Sequence, residues 1–160
     1  MRRVPLAAVA LLTVVGTAGC DPGPLSSNIA LATIDGRSVV VIKTCGDDVS
    51  RLAFREGGNR NGRIVESVSV GSSGRDVEYV DVTDVGVVRD ASSADGTPMF
   101  VIDLIDNKGF AGDQLIYEIP PEGLVTFRDV EVVVEPLSSF LSRPPGCGPS
   151  PSASASDGLE

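Results

Sequence analysis

The chain has 160 residues and a formal net charge of −9, with 22 acidic and 13 basic residues and neither histidine nor tryptophan. The acid excess leaves no basic surface for a nucleic acid, and the absence of histidine removes the commonest general base and transition-metal ligand. The length fits a single domain.

The first 19 residues have the parts of a secretion signal. Arg2 and Arg3 precede an apolar segment, Val4–Val15, which is too short to cross a hydrocarbon core of ~30 Å as a permanent helix. The small residues that follow fit the site of a signal peptidase. We therefore predict a signal peptide over residues 1–19.

The end of this leader, Thr17-Ala18-Gly19-Cys20, resembles the lipobox of bacterial lipoproteins. Thr17 stands where that family usually has leucine or another aliphatic residue. The resemblance implies that the leader is cut before Cys20 and that the Cys20 sulfur carries a covalent diacylglycerol, the one added group we expect. The mature chain would have a net charge of −11, so the lipid, and not the acidic protein surface, would hold it on the membrane.

The cysteine count agrees with this interpretation. The chain has three cysteines, Cys20, Cys45 and Cys147, and an exported chain with an odd number needs an explanation for the spare thiol. Lipidation of Cys20 leaves one pair in an oxidising compartment. We therefore predict a Cys45–Cys147 disulfide, which closes a loop of about 100 residues and stabilises the fold by roughly 4–5 kcal/mol in the chain-entropy model.

After a tether over residues 20–27, short runs of β-forming residues alternate with turn sequences. Asp35-Gly36 is a strong hairpin dipeptide, and Val39–Ile42 is apolar on both faces, as in a central strand. Strands are predicted over 28–34, 38–45, 49–55, 63–70, 76–82, 98–105, 113–119 and 124–135, with 85–89 as a continuation or a further strand. About eight or nine strands, roughly ten residues apart and without long crossovers, predict an all-β, antiparallel, immunoglobulin-like two-sheet sandwich over residues 28–141.

The end of the chain differs in composition from this domain. Residues 138–141 could form one helical turn at most, and the Pro-, Ser- and Gly-rich residues 142–160 predict a disordered tail. Cys147 lies within this tail, so the predicted disulfide would staple the start of the tail to the domain.

No pattern predicts a catalytic residue. With no histidine there is no serine triad, and neither lysine follows a serine at the S-x-x-K spacing. We predict no metal site, and the best cation candidate is the cluster Asp103, Asp106, Asn107 and Asp113, which misses the EF-hand pattern and has Lys108 at its centre. Phe110 lies in the loop sequence Gly109-Phe110-Ala111-Gly112 and is either a contact residue or a plug for the sandwich end.

These patterns predict a lipoprotein on the outer face of the bacterial cytoplasmic membrane, bound there by its lipid anchor. Its expected role is binding or structural, with an envelope protein or a polysaccharide as the partner and no nucleic acid. Two alternatives remain open: a small carbohydrate-active envelope enzyme, which needs two carboxyl groups in a cleft, and a Ca²⁺-dependent adhesion module.

Overall fold

The computed structural model describes residues 28–44, 49–71, 74–91, 97–107, 109–129 and 131–146. Nine strands and two short helices occur in this part of the chain. In order they are β1 (Ile29–Ile34), β2 (Arg37–Lys43), β3 (Val49–Glu56), β4 (Ile64–Ser69), β5 (Val77–Asp81), α1 (Gly86–Arg89), β6 (Phe100–Asp106), β7 (Gly109–Ile116), β8 (Leu124–Arg128), β9 (Val132–Pro136) and α2 (Leu137–Ser142).

The strands form two sheets that pack face to face. One sheet has five strands in the order β5-β2-β1-β8-β9, and the other has four in the order β4-β3-β6-β7. All the paired strands are antiparallel. The predicted all-β antiparallel two-sheet sandwich is therefore confirmed.

The β1–β2 hairpin follows directly from its turn sequence. Asp35 and Gly36 have φ values of 52° and 71°, and a tight hairpin turn of type I′ requires positive φ at both central positions. The turn sets the register, with Ile29 opposite Ile42. Val39–Ile42 is buried on both faces of the sheet, as the sequence predicted.

The main core lies between the two sheets. Its largest members are Phe54 on β3 and Phe100 on β6, whose ring centroids are 6.4 Å apart. They face the aliphatic inner side of β1 and β2, where Leu31, Val40 and Ile42 are fully buried. Burial of each such side chain is worth roughly 1.5–3 kcal/mol, so this core supplies most of the driving force for folding.

A second core covers the outer face of the five-stranded sheet. Phe140 of α2 is fully buried against Phe127 of β8, with ring centroids 5.3 Å apart. Small side chains beneath it, Ala30 and Ala32, leave the space that the helix needs. This second layer explains why β1 and β2 are apolar on both faces.

Two predicted elements were wrong in the structure. Residues 124–135 form two strands, β8 and β9, because the chain turns at Asp129, whose N–H donates to the carbonyl of Glu131. The predicted strand over 85–89 is instead the helix α1, Gly86–Arg89. The N–H of Gly86 donates to Glu66, and the N–H groups of Val88 and Arg89 donate to the carbonyl of Val85. The apolar positions change parity between Phe127 and Val132, which marks the turn at Asp129, and Gly86-Val87-Val88 does not alternate.

Two further boundaries differ. The predicted loop over residues 106–112 is shorter, because Gly109 already pairs with Asp106 and begins β7. Helix α2 is longer than the single turn predicted, and the described chain continues past it to Gly146 along the five-stranded sheet.

Different strand ends and loops lie at the two ends of the sandwich. We call the end where β1 begins the entry end, and the opposite one the far end. The ends of β2 and β8 and the starts of β5 and β9 lie at the entry end, as the registers require. In the other sheet β3 begins there, because the chain passes from Thr44 to Val49 in a few residues. The β6–β7 hairpin lies beside the start of β3, where Ser50 donates to the carbonyl of Ile105.

Candidate functional site

The predicted cation residues separate into two places. Asp103 and Asp113 are direct partners across β6 and β7, on the outer face of the four-stranded sheet. Asp106 and Asn107 lie at the hairpin tip, about 10 Å further along the strand at ~3.3 Å per residue. Within the described ranges, no cluster of three or more histidine, cysteine, aspartate or glutamate side chains has the arrangement of a metal site.

Both carboxylates on the sheet face have an arginine partner. Arg55 Nε lies 2.6 Å from Asp103 Oδ2, and Arg60 forms an ion pair with Asp113. The Asp103 side chain is only 4 % exposed, and burial raises its pKa while the hydrogen bond and charge of Arg55 act in the opposite direction. The arginines thus supply the positive charge that a bound cation would otherwise provide.

The same arginines fasten a loop over the sheet. Arg55 Nη1 donates to the carbonyl of Gly62 at 2.7 Å, so one guanidinium joins the sheet to the loop over residues 57–63. Gly58 in this loop has φ 57°, and a Cβ atom there would lie 2.1 Å from the Pro98 carbonyl oxygen. The backbone approaches so closely that only glycine fits, and the loop shields Asp103 from solvent.

A cleft of about 320 Å³ opens at the far end of the sandwich, between α1, the end of β3 and the start of β6. Its apolar lining comes from Val87, Ala91 and Met99. The carboxylates on its rim are those of Glu56 and Asp90, which pair with arginines at 3.4 Å and 2.9 Å. A volume of this size is at the lower limit for a small-ligand site and suits a side chain of a partner.

Lys43 holds the end of the chain against the five-stranded sheet. It is 4 % exposed, and its Nζ donates to the carbonyls of Phe140 at 3.2 Å and Arg143 at 3.3 Å. The ammonium also lies 4.3 Å from the centre of the Phe140 ring. Burial lowers the pKa of Lys43, as does the charge of Arg143. Lys43 therefore caps the last turn of α2 with a buried charge that is matched by carbonyl oxygens.

We expect Lys43→Met to lower the free energy of unfolding by about 2 kcal/mol. The loss of two hydrogen bonds from a charged donor, roughly 1.5–3 kcal/mol each, is partly offset because Met does not bury a charge. Urea unfolding followed by circular dichroism measures the change. Arg37→Met is the matched control on the same strand, since the Arg37 side chain is 68 % exposed and its surface ion pair contributes at most ~1 kcal/mol. Equal effects of the two substitutions would contradict the capping role.

Cys20, Cys45 and Cys147 all lie outside the described residues. The described residues that precede the last two are nevertheless close to each other. Asn28, opposite the end of β2, accepts a hydrogen bond from the N–H of Gly146 at 2.9 Å and is fully buried. Thr44, the last described residue before Cys45, follows the same strand end, where it bonds to Arg75 and Asp76.

Phe110 is the most exposed of the large apolar side chains, at 67 %. It pairs with Ile105 next to the hairpin tip and does not plug the core. Tyr79 is 51 % exposed on β5. Phe54, Phe100, Phe127 and Phe140 are buried.

The sequence interpretation missed the segment from Leu137 to Gly146, which packs on the outer face of the five-stranded sheet and which we call the C-terminal clamp. Leu137, Phe140 and Leu141 have the i, i+3, i+4 spacing of an amphipathic helix, and the second apolar face of β2 needed a cover. These two signals together indicate the clamp. The role of Lys43 depends on a contact almost a hundred residues away in the chain, and no local pattern shows it.

Neither helix of the described ranges has the length or the apolar composition needed to cross a membrane. No protein-family model, curated protein or solved structure is similar to this chain.

Proposed function

We propose that the protein is a lipoprotein of the cell envelope, carried on the outer face of the cytoplasmic membrane by a diacylglycerol on Cys20. The leader that ends at Cys20 carries this proposal. The described sandwich supports it, because the nine strands from Ile29 to Pro136 pair with one another in two complete sheets. A domain that begins right after a short tether is suited to display at a membrane surface.

The proposal includes the Cys45–Cys147 disulfide of an exported protein. The hydrogen bonds between Asn28 and Gly146, and between Lys43 and Arg143, bring the two chain segments that lead to these cysteines to one end of the sandwich. A crosslink there would close the clamp over the second core.

We propose a binding or structural role without catalysis. The far-end cleft offers a small apolar surface, and an apolar side chain of a partner would fit it. The arginine partners of Asp103 and Asp113 speak against Ca²⁺-dependent adhesion, because a bound cation needs carboxylates that are not already neutralised. The two carboxylates in the far-end cleft, Glu56 and Asp90, also pair with arginines, which speaks against an enzyme acting on polysaccharide there.

Replacement of Cys20 tests the anchor. We expect the native chain to partition into the detergent phase and to have the mass of a chain that begins at Cys20 and carries acyl groups. The Cys20→Ser variant is expected to keep its leader, to lack the acyl mass and to partition into the aqueous phase, because it has no sulfur to acylate.

The matched control is Cys45→Ser, which leaves the lipidation site intact and should still enter the detergent phase. An unmodified Cys20 in the native chain, or a chain that still contains Gly19, would overturn the proposal. Intact-mass spectrometry of the membrane fraction distinguishes these outcomes.

A further inference from the structure

We infer that the entry end of the sandwich rests on the phospholipid bilayer, with Phe110 entering the headgroup region. This inference rests on the proposed lipid anchor and adds an orientation to it. Without such a contact, the lipid would hold a domain that is free to tumble on its tether.

The tether is short and leads to a fixed point at the entry end. Residues 21–27 span at most about 25 Å when fully extended. They lead to Asn28, which is buried and bonded through its side chain to Gly146. The entry end therefore stays within a short distance of the membrane, whichever way the domain turns.

Phe110 lies at that end and is open to solvent. Asp106 and Gly109 close the β6–β7 hairpin beside the start of β3, and Phe110 follows directly with two thirds of its surface exposed. Val132, at the start of β9, is another exposed apolar side chain at the entry end, at 42 %. Exposed phenylalanine is uncommon on soluble surfaces, and bilayer burial would recover its hydrophobic contribution.

The distribution of charge agrees with this orientation. Three exposed arginines lie at the entry end, Arg51, Arg75 and Arg128. The exposed acids there are Asp76, Asp129 and Glu131. A larger set of exposed acids lies at the far end: Asp35, Glu56, Asp81, Asp84, Asp90, Glu118 and Glu122. Three of them pair with the exposed arginines Arg37, Arg63 and Arg89, which leaves an excess of four acids. The far end would be repelled by an anionic membrane surface, whereas the entry end is close to balanced and can approach it.

The absence of tryptophan from the chain allows a clean test. The lipidated full-length chain with Phe110→Trp is reconstituted into phosphatidylcholine vesicles that contain lipids brominated near the headgroup. We expect its indole emission to move to shorter wavelength and to be quenched by the bromine. The matched control is Arg37→Trp at the far end, where the native side chain is 68 % exposed, and there we expect neither the shift nor the quenching.

The outcomes separate the anchor from the orientation. Vesicle flotation reports the anchor: if the lipidated chain fails to float, the proposed function fails. If the chain floats but Phe110→Trp is quenched no more than Arg37→Trp, the anchor stands and the inferred orientation is overturned. Val132→Trp gives the same measurement at a second position of the entry end, should the hairpin variant fold poorly.

Discussion

A chain in which Cys45 and Cys147 are both replaced by serine is expected to lose about 4–5 kcal/mol of unfolding free energy, because an open chain regains the entropy that a closed loop of about 100 residues lacks. The proposed crosslink has this large value because it joins an early strand end to the last part of the domain. Asn28, Lys43 and Gly146 already bring these segments together, so little distortion of the fold is needed.

Urea unfolding of the exported native chain and of the double serine variant measures the difference. A reductant should lower the urea midpoint of the native chain and leave that of the double variant unchanged. Peptide mapping under non-reducing conditions identifies the linked cysteines. Free thiols at both positions in the exported native chain, or a urea midpoint that the reductant does not change, would contradict the crosslink.

The second large effect is expected at Arg55. We expect Arg55→Met to lower the unfolding free energy by about 3 kcal/mol at pH 7, because it leaves the buried carboxylate of Asp103 without its counter-ion. This value is at the lower limit for a broken buried pair, since the Arg55 side chain keeps 23 % exposure to solvent. The substitution also frees the loop over residues 57–63, which Arg55 fastens through Gly62.

The effect of Arg55→Met should depend on pH in a defined direction. Burial already raises the pKa of Asp103 above its unfolded value of about 3.9, so protonation of this group favours the folded state. The stabilising contribution of protonated Asp103 is present below the pKa of this residue in the unfolded chain. It is lost as the pH rises through the pKa of Asp103 in the folded chain. Removal of Arg55 raises the folded pKa further. The loss of stability is therefore expected to be largest at pH 7 and to shrink towards pH 4.

Arg63→Met is the control for this experiment. Arg63 pairs with Glu56 at the other end of the same loop, and its side chain is 78 % exposed, so its removal should change stability by no more than about 0.5 kcal/mol. Urea midpoints at pH 7 and pH 4 for both variants provide the comparison. Equal losses for Arg55→Met and Arg63→Met, or a loss that grows towards pH 4, would show that the buried pair does not act as described.

The fold class followed from the sequence because the strands are short and separated by strong turn signals. Asp35-Gly36 is the clearest case, since its backbone requirement is local. The break at Asp129 was missed although the alternation changes parity there, from Val125 and Phe127 to Val132 and Val134. The helix at Gly86 was missed because a carboxylate from another strand, Glu66, satisfies its first N–H group.

The predictions of site residues also divide into those that rest on a local signal and those that depend on contacts between distant parts of the chain. The glycines around Phe110, a local signal, suggested either an exposed contact residue or a plug, and the structure shows an exposed side chain. The pairing of Asp103 with Asp113 depends on the register of a bulged hairpin, and their neutralisation depends on Arg55 and Arg60 from another part of the chain. Acidic residues that are close in sequence suggested a cation site, but the arginines opposite them became visible only in three dimensions.

The position of β1 has a mechanical consequence. This strand lies in the middle of its sheet, with β2 on one side and β8 on the other, and the proposed tether leads directly into it through Asn28. Traction on the lipid would therefore load the hydrogen bonds of β1 along the strand axis, in shear, so that many must yield together. The fold thus places a central strand, paired on both sides, where a surface protein would be pulled.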